Sequence, residues 1–138
     1  MNKKTAQGFT VIELLITLIV VGVVFLAFTT TYAGITNISK KGTDVATASQ
    51  MAFAKLQEYE NLDFNNLPPT APIGSLQQVE DFSSSLPGVL EAPRTGIVYI
   101  NTVSSTLKQV VVKVTFGSGA SQRYIEYDTF IQKHGVGR

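Results

Sequence analysis

Few side chains in this sequence are equipped for chemistry. It has no cysteine and one histidine, His134, set in the glycine-rich end "KHGVGR". Thiol nucleophiles, thiolate metal sites and disulfides are excluded, and neither a Ser/His/Asp triad nor a histidine-based metal site can be assembled. Gly117-Ser118-Gly119 lacks the spacing of a nucleophile elbow and reads as a hairpin turn, and no phosphate-cradling loop occurs. Asp63, Glu80 and Asp81 offer oxygen ligands for calcium, yet without the alternating-acid spacing of a calcium loop. No catalytic residue, metal or cofactor is expected. One acid is conspicuous for a different reason. Glu13 interrupts "GFTVIELLITLIVVGVVFLAF", Gly8 to Phe28, an otherwise almost unbroken apolar run.

A carboxylate inside a bilayer costs on the order of 2.5–3.5 kcal/mol on insertion scales, less near an interface, and marks a partner or a function. The run from Phe9 to Phe28 is long enough, at about 1.5 Å of helix per residue, to span roughly 30 Å of hydrocarbon. Lys3 and Lys4 precede it, which favours a cytoplasmic start. A cleaved secretory signal has an apolar stretch of about 7–15 residues and no acid within it, so this segment reads as an anchor. A plain anchor leaves Glu13 unexplained. If the chain were cut after Gly8, the new ammonium at Phe9, on the same helix or a neighbouring one, would supply a charge partner in a low dielectric.

The segment "KKTAQGFTVIELLITLIVVGVV" closely resembles the N-terminus of type IV prepilins and of the pseudopilins of type II secretion. The likeness rests on Lys3 and Lys4, then Gly8, Phe9 and Glu13. It implies a leader at 1–8, cleavage by a prepilin peptidase between Gly8 and Phe9, N-methylation of Phe9, and subunit assembly through Phe9 and Glu13. The implied partners are other pilin subunits, the prepilin peptidase and an inner-membrane assembly machinery. The implied location is the bacterial inner membrane, single-pass with the leader in the cytoplasm, and after assembly a surface filament or a pseudopilus. Many relatives carry a proline where this chain has Thr30, so a proline kink is not expected.

The elements that must position this segment follow from patterning. The charge balance is +1 and charged residues make up 15%, so neither a basic field nor an acidic tail dictates a partner. The assembly helix is expected over 9–33, with low-propensity threonines and glycines softening the stretch from Thr29 to Gly42. An amphipathic helix follows over 34–62, with Ile35, Ile38, Gly42, Val45, Ser49, Ala52, Leu56 and Tyr59 along one stripe, Ala48 and Met51 widening it, and Phe53 as further core. Pro68 and Pro69 end it.

Residues 63–138 form the head. The proline-containing stretch from Pro68 to Pro93 reads as irregular, with a short helical turn near Gln77 to Phe82. Three strands are expected, Gly96–Val103, Leu107–Phe116 and Tyr124–Gln132, with Val110, Val112, Val114 and Phe116 on one face. The fold class is α+β: a long N-terminal helix, membrane-spanning in its first half, packed in its second on an antiparallel meander of about three to four strands, the pilin ladle fold. Leu86-Pro87-Gly88, the Lys108–Phe116 strand and Thr129-Phe130-Ile131 resemble V-type minor pilins and I-type minor pseudopilins, although Phe116 stands where many of them have tryptophan. Lys108, Lys113, Arg123 and Lys133 offer a basic strip on the exposed sheet face, which reads as ordinary solvation of that face, with DNA an unsupported partner. A minor filament subunit is the leading reading; a major pilin, a secretion or competence pseudopilin, and a non-assembling anchored binding domain are the alternatives.

Overall fold

The computed structural model describes residues 10–70 and 73–133. They comprise one α-helix, α1 (Val11–Glu60), three single-turn 3-10 helices, and four strands, β1 (Leu76–Asp81), β2 (Arg94–Ser104), β3 (Leu107–Phe116) and β4 (Arg123–Gln132). The strands form one antiparallel sheet in the order β1-β2-β3-β4. The architecture is α+β with an apolar N-terminal helix, as patterning implies. The chain divides into two compact units, one ending at Lys41 and the other starting at Gly42.

In the first unit α1 is uninterrupted. The softening expected between Thr29 and Gly42 does not occur as a break. The hydroxyls of Thr29, Thr30, Thr31 and Thr36 all donate to carbonyls three or four residues back, at 2.9 Å. These bonds satisfy the side-chain donors inside the helix, which is where a segment lacking water must satisfy them. From Val11 to Phe28 the large apolar side chains are uncovered all round. By length and composition this part of α1 is able to cross a membrane.

In the second unit α1 turns one face to the sheet. Ala48, Ala52, Leu56 and Tyr59 are buried, with Val45 and Met51 packed beside them. Two fully buried alanines one turn apart leave no side-chain bulk to hold helix and sheet apart. Opposite lie Val98, Ile100, Val110, Val112 and Val114, also wholly buried. Each such valine contributes about 1.5–3 kcal/mol relative to exposure. The stripe opens on Asp44 rather than on an apolar residue. Asp44 is 4% exposed and its Oδ1 lacks a hydrogen-bond partner among the described residues. A buried acceptor left so costs about 1–3 kcal/mol, which weakens the first turn of contact. Phe53, expected in the core, is instead 51% exposed. It lies one position past Ala52, off the buried stripe, and its ring meets the Tyr127 ring edge-on at 6.2 Å.

The irregular stretch contains the largest departure from patterning. Gln77 to Asp81, expected as a helical turn, belongs to β1, paired with β2 from Leu76↔Asn101 to Asp81↔Ile97 around a bulge between Gln78 and Glu80. Leu76 is exposed and, of the apolar side chains in β1, Val79 joins the core. Alternation is therefore almost invisible, and the backbone ladder to β2 decides the conformation. Beyond it Phe82, Leu86 and Leu90 close one end of the core. Phe82 donates its amide to the Gly96 carbonyl (2.8 Å), and Ser83 Oγ accepts from the Gly96 amide (3.0 Å).

The Phe82 ring occupies the space where Gly96 has no side chain: a Cβ there would stand 2.6 Å from the ring. Gly96→Ala is expected to displace that ring and to destabilise the head by about 1–3 kcal/mol, read as a shifted denaturant midpoint with the slope unchanged. A midpoint equal to that of the parent chain refutes the close-packing argument.

Candidate functional site

Thr10 starts α1. Its carbonyl accepts from the amides of Glu13 (3.1 Å) and Leu14 (3.2 Å), and its Oγ1 lies 3.4 Å from the Glu13 amide. Thr10 is thus the N-cap, a role overlooked in reading the sequence for charge alone. The signal was present, because Thr-x-x-Glu before an apolar run is the spacing of a capping box. Glu13 therefore sits in the first turn, where the positive end of the helix dipole favours a carboxylate by about 0.3–1 kcal/mol. Its carbonyl accepts the Thr17 hydroxyl at 2.7 Å. Its carboxylate is exposed and has no hydrogen-bond or ion-pair partner among the described residues. One turn on, Leu14, Leu18 and Val21 line a shallow apolar groove with Thr17. The geometry is an acid, unpaired among the described residues, beside uncovered apolar surface. Gly8 and Phe9, the expected cleavage and methylation residues, lie outside the described residues, as does His134.

The head's polar residues are engaged with one another. Lys55 pairs with Glu80 (2.7 Å) and with Glu58 (2.9 Å), and Tyr59 Oη donates to the other Glu80 oxygen (2.7 Å). The ammonium also lies 5.8 Å and 5.9 Å from the Tyr59 and Phe82 ring centres. Burial works against the charge on Glu80, but hydrogen bonds from Lys55 and Tyr59 outweigh it and hold its pKa below the ordinary carboxylate value. Lys55 is likewise desolvated, and its bonds to Glu80 and Glu58 still hold its pKa above the ordinary value. Burial, then the bond to Glu80, push Tyr59 well above its usual range. Asp81 accepts from the Ser83 hydroxyl and, at 2.9 Å, from the Ser83 amide, which hold its pKa down. Both acids have local roles that account for them: Glu80 fastens β1 to α1, and Asp81 shapes the turn after it.

The basic strip expected on the exposed sheet face is not assembled. Lys108 shares the inward face with Val110, Val112 and Val114 and is 7% exposed. Its ammonium donates to the carbonyls of Leu67 (2.9 Å) and Phe64 (3.2 Å) and lies 4.6 Å from the Phe64 ring centre, while burial lowers its pKa. It ties the segment after α1 to the sheet. Alternation along β3 puts Lys108 in phase with the buried valines, which was the signal that it points inward. Lys113 does face outward, paired with Glu126 at 3.6 Å and 4.6 Å from the Tyr124 ring centre.

Residues 3–29 match the prokaryotic N-terminal methylation motif. The match takes in Gly8, Phe9 and Glu13 and ends one residue past Phe28, where the near-continuous apolar run of the sequence ends. No curated protein and no solved structure is significantly similar to the chain.

The Lys55–Glu80–Tyr59 cluster carries a pH signature. Glu80 has a depressed pKa in the folded head, so its contribution is complete above the unfolded value of about 4.5 and is lost as pH falls through the folded value. Tyr59 and Lys55 have raised values, so theirs is complete below the unfolded values, near 10.0 for Tyr59, and is lost as pH rises further. The cluster's contribution to head stability is expected to hold level between these limits and to fall on both sides. Glu80→Gln is expected to flatten the acid limb in denaturant titrations followed by near-ultraviolet circular dichroism; an acid limb identical to the parent's refutes the assignment.

Proposed function

From the methylation-motif match over residues 3–29 we propose that this chain is type IV prepilin-like, structural rather than enzymatic, and a subunit of a bacterial type IV pilus-like filament, of the minor kind. Assembly with other pilin subunits and handling by processing machinery follow from the family. In this reading a prepilin peptidase cuts between Gly8 and Phe9 and methylates the freed Phe9 amine. The segment 9–33 holds the subunit in the inner membrane, leader in the cytoplasm, until an assembly machinery moves it into the filament. The observation that carries the reading is the Glu13 carboxylate, without a partner among the described residues, on an uncovered apolar helix inside the methylation-motif match.

The proposed mechanism is electrostatic and hydrophobic. The uncovered side chains from Val11 to Phe28 exchange lipid for neighbouring helices. That exchange has little hydrophobic driving force of its own, so specificity falls to polar contacts. Glu13 supplies one. The Phe9 ammonium of an adjacent subunit meets its carboxylate in a low dielectric, where a pair of unit charges interacts far more strongly than in water. Because one partner is a chain terminus and the other a side chain one turn along, the pair sets axial register between subunits. The assignment to a minor subunit rests on the resemblance of Leu86-Pro87-Gly88, the Lys108–Phe116 strand and Thr129-Phe130-Ile131 to minor pilins.

The test is the N-terminal peptide mass from membrane and sheared surface fractions of the native host. A peptide beginning at N-methylated Phe9 in both fractions is expected. Glu13→Ala is expected to leave processing in the membrane fraction intact and to reduce the sheared fraction by tenfold or more, the equivalent of about 1.4 kcal/mol per subunit. A peptide beginning at Met1 overturns the processing step. Equal recovery of parent and Glu13→Ala protein in the sheared fraction overturns the role of Glu13.

A further inference from the structure

β4 is an edge strand, paired with β3 on one side and, among the described residues, with nothing on the other. The Lys133 amide donates to the Thr106 carbonyl at 2.9 Å. Carried along the β3–β4 register, that bond turns the odd-numbered residues of β4 toward β3. The backbone N–H and C=O groups of Tyr124, Glu126, Asp128 and Phe130 therefore face the open edge. Natural edges are guarded by proline, lysine or a bulge. Between Arg123 and Gln132 there is no proline or lysine, and the pairing with β3 runs without a bulge. The opposite edge, β1, is bulged.

Side chains flank this edge on both faces. Away from α1 stand Tyr124 (63% exposed) and Phe130 (57% exposed), with Glu126 and Asp128 between them. On the α1 side the half-exposed rings of Phe53 and Tyr127 meet. Lys113 holds Glu126 at 3.6 Å and Gln109 holds Asp128 at 3.0 Å, which fixes both carboxylates on the sheet face without covering them. Two acids against one lysine leave the centre of the edge negative.

That charge argues against a second copy as the occupant. An antiparallel pairing of β4 with itself about Tyr127 sets Glu126 opposite Asp128 twice, and a parallel in-register pairing sets like beside like. A second copy's β1 would bring its bulge together with Glu80 and Asp81. Like charges directly opposite are destabilising in a sheet. We propose that the free edge of β4 takes an extended segment of a different polypeptide, with outward side chains reading apolar–basic–basic–apolar at alternate positions and apolar side chains between them. The outward set lies beside Tyr124, Glu126, Asp128 and Phe130; the intervening set lies against Tyr127 and Phe53. Main-chain bonds to the edge give affinity, and alternate side chains give specificity. The inference rests on the geometry of the head and is independent of the fate of the N-terminal segment.

The test uses the full chain in detergent and end-blocked, dye-labelled peptides read by fluorescence anisotropy. The probe is Leu-Val-Lys-Val-Lys-Val-Leu, and its counterpart carries glutamate in place of both lysines. The lysine peptide is expected to bind saturably and the glutamate peptide roughly tenfold more weakly or worse, two exposed charge contacts having changed sign. Glu126→Lys with Asp128→Lys is expected to invert that preference. Asp128→Pro removes an edge-facing amide while sparing the bonds to β3, and is expected to abolish binding of the lysine peptide with the head's circular dichroism unchanged. Equal binding of the two peptides, no saturable binding of either, an unaltered preference in the reversed variant, or binding that survives Asp128→Pro overturns the proposal. Self-association of the parent chain that Asp128→Pro abolishes overturns it in favour of a second copy.

Discussion

The head depends on how closely α1 approaches the sheet, and that closeness rests on Ala48 and Ala52. Both are wholly buried. A larger side chain at either would lift the helix and open space above Val98, Val110, Val112 and Val114, whose burial supplies much of the head's stability. The rest of the head follows from this contact. With the sheet's inner face closed by a single helix, Leu67 and Leu90 must cover what the helix cannot, and both are fully buried. The segments carrying them, one on each side of β1, are long and irregular because they serve as covers.

Polar groups fasten those covers at places where apolar packing alone would be ambiguous in register. Lys108 reaches from the core face of β3 to two carbonyls of the segment after α1. Farther along, Thr70 Oγ1 accepts from the Thr102 amide at 3.0 Å. Glu80 joins the edge strand β1 to α1 through Lys55 and Tyr59. Each is a bond between elements distant in sequence. Each also keeps a desolvated group satisfied, and such a group is worth more than its pairwise energy suggests, since losing one partner strands the other.

Legibility from sequence tracked the number of apolar residues that each element commits to the core. β3 commits Val110, Val112, Val114 and Phe116, and its limits were readable to the residue. β1 commits Val79, and it went unread because its conformation comes from the β2 ladder and a salt bridge, neither of which leaves a periodic trace. In α1 the helical period was clear and Ala52, Leu56 and Tyr59 lie on the expected stripe, with Ala48 in the widening expected of it. The buried row opens on Asp44, which the apolar pattern did not include. Lys108 was misplaced by the habit of assigning charges to the surface; strand parity contradicts it. At the N-terminus the reverse held. A single misplaced acid, Glu13, carried more information than any other position, since an apolar segment has no local use for it beyond the first-turn dipole.

The two acidic features of this chain obey one rule under different dielectrics. Glu13, without a partner among the described residues, stands on an uncovered apolar helix, where a carboxylate is costly and a partner charge correspondingly effective. Glu126 and Asp128 stand on a wet sheet face, where a salt bridge is worth about 0–1 kcal/mol and cannot hold a complex by itself. What makes the β4 acids consequential is the row of backbone donors and acceptors beside them. An open edge accepts almost any extended chain, so affinity there is generic and rejection must come from side chains. Like charge at the centre of the strand rejects copies of itself. Aromatic side chains at both ends of the strand then leave the edge selective instead of closed. The acids guard the edge against one class of partner and admit another.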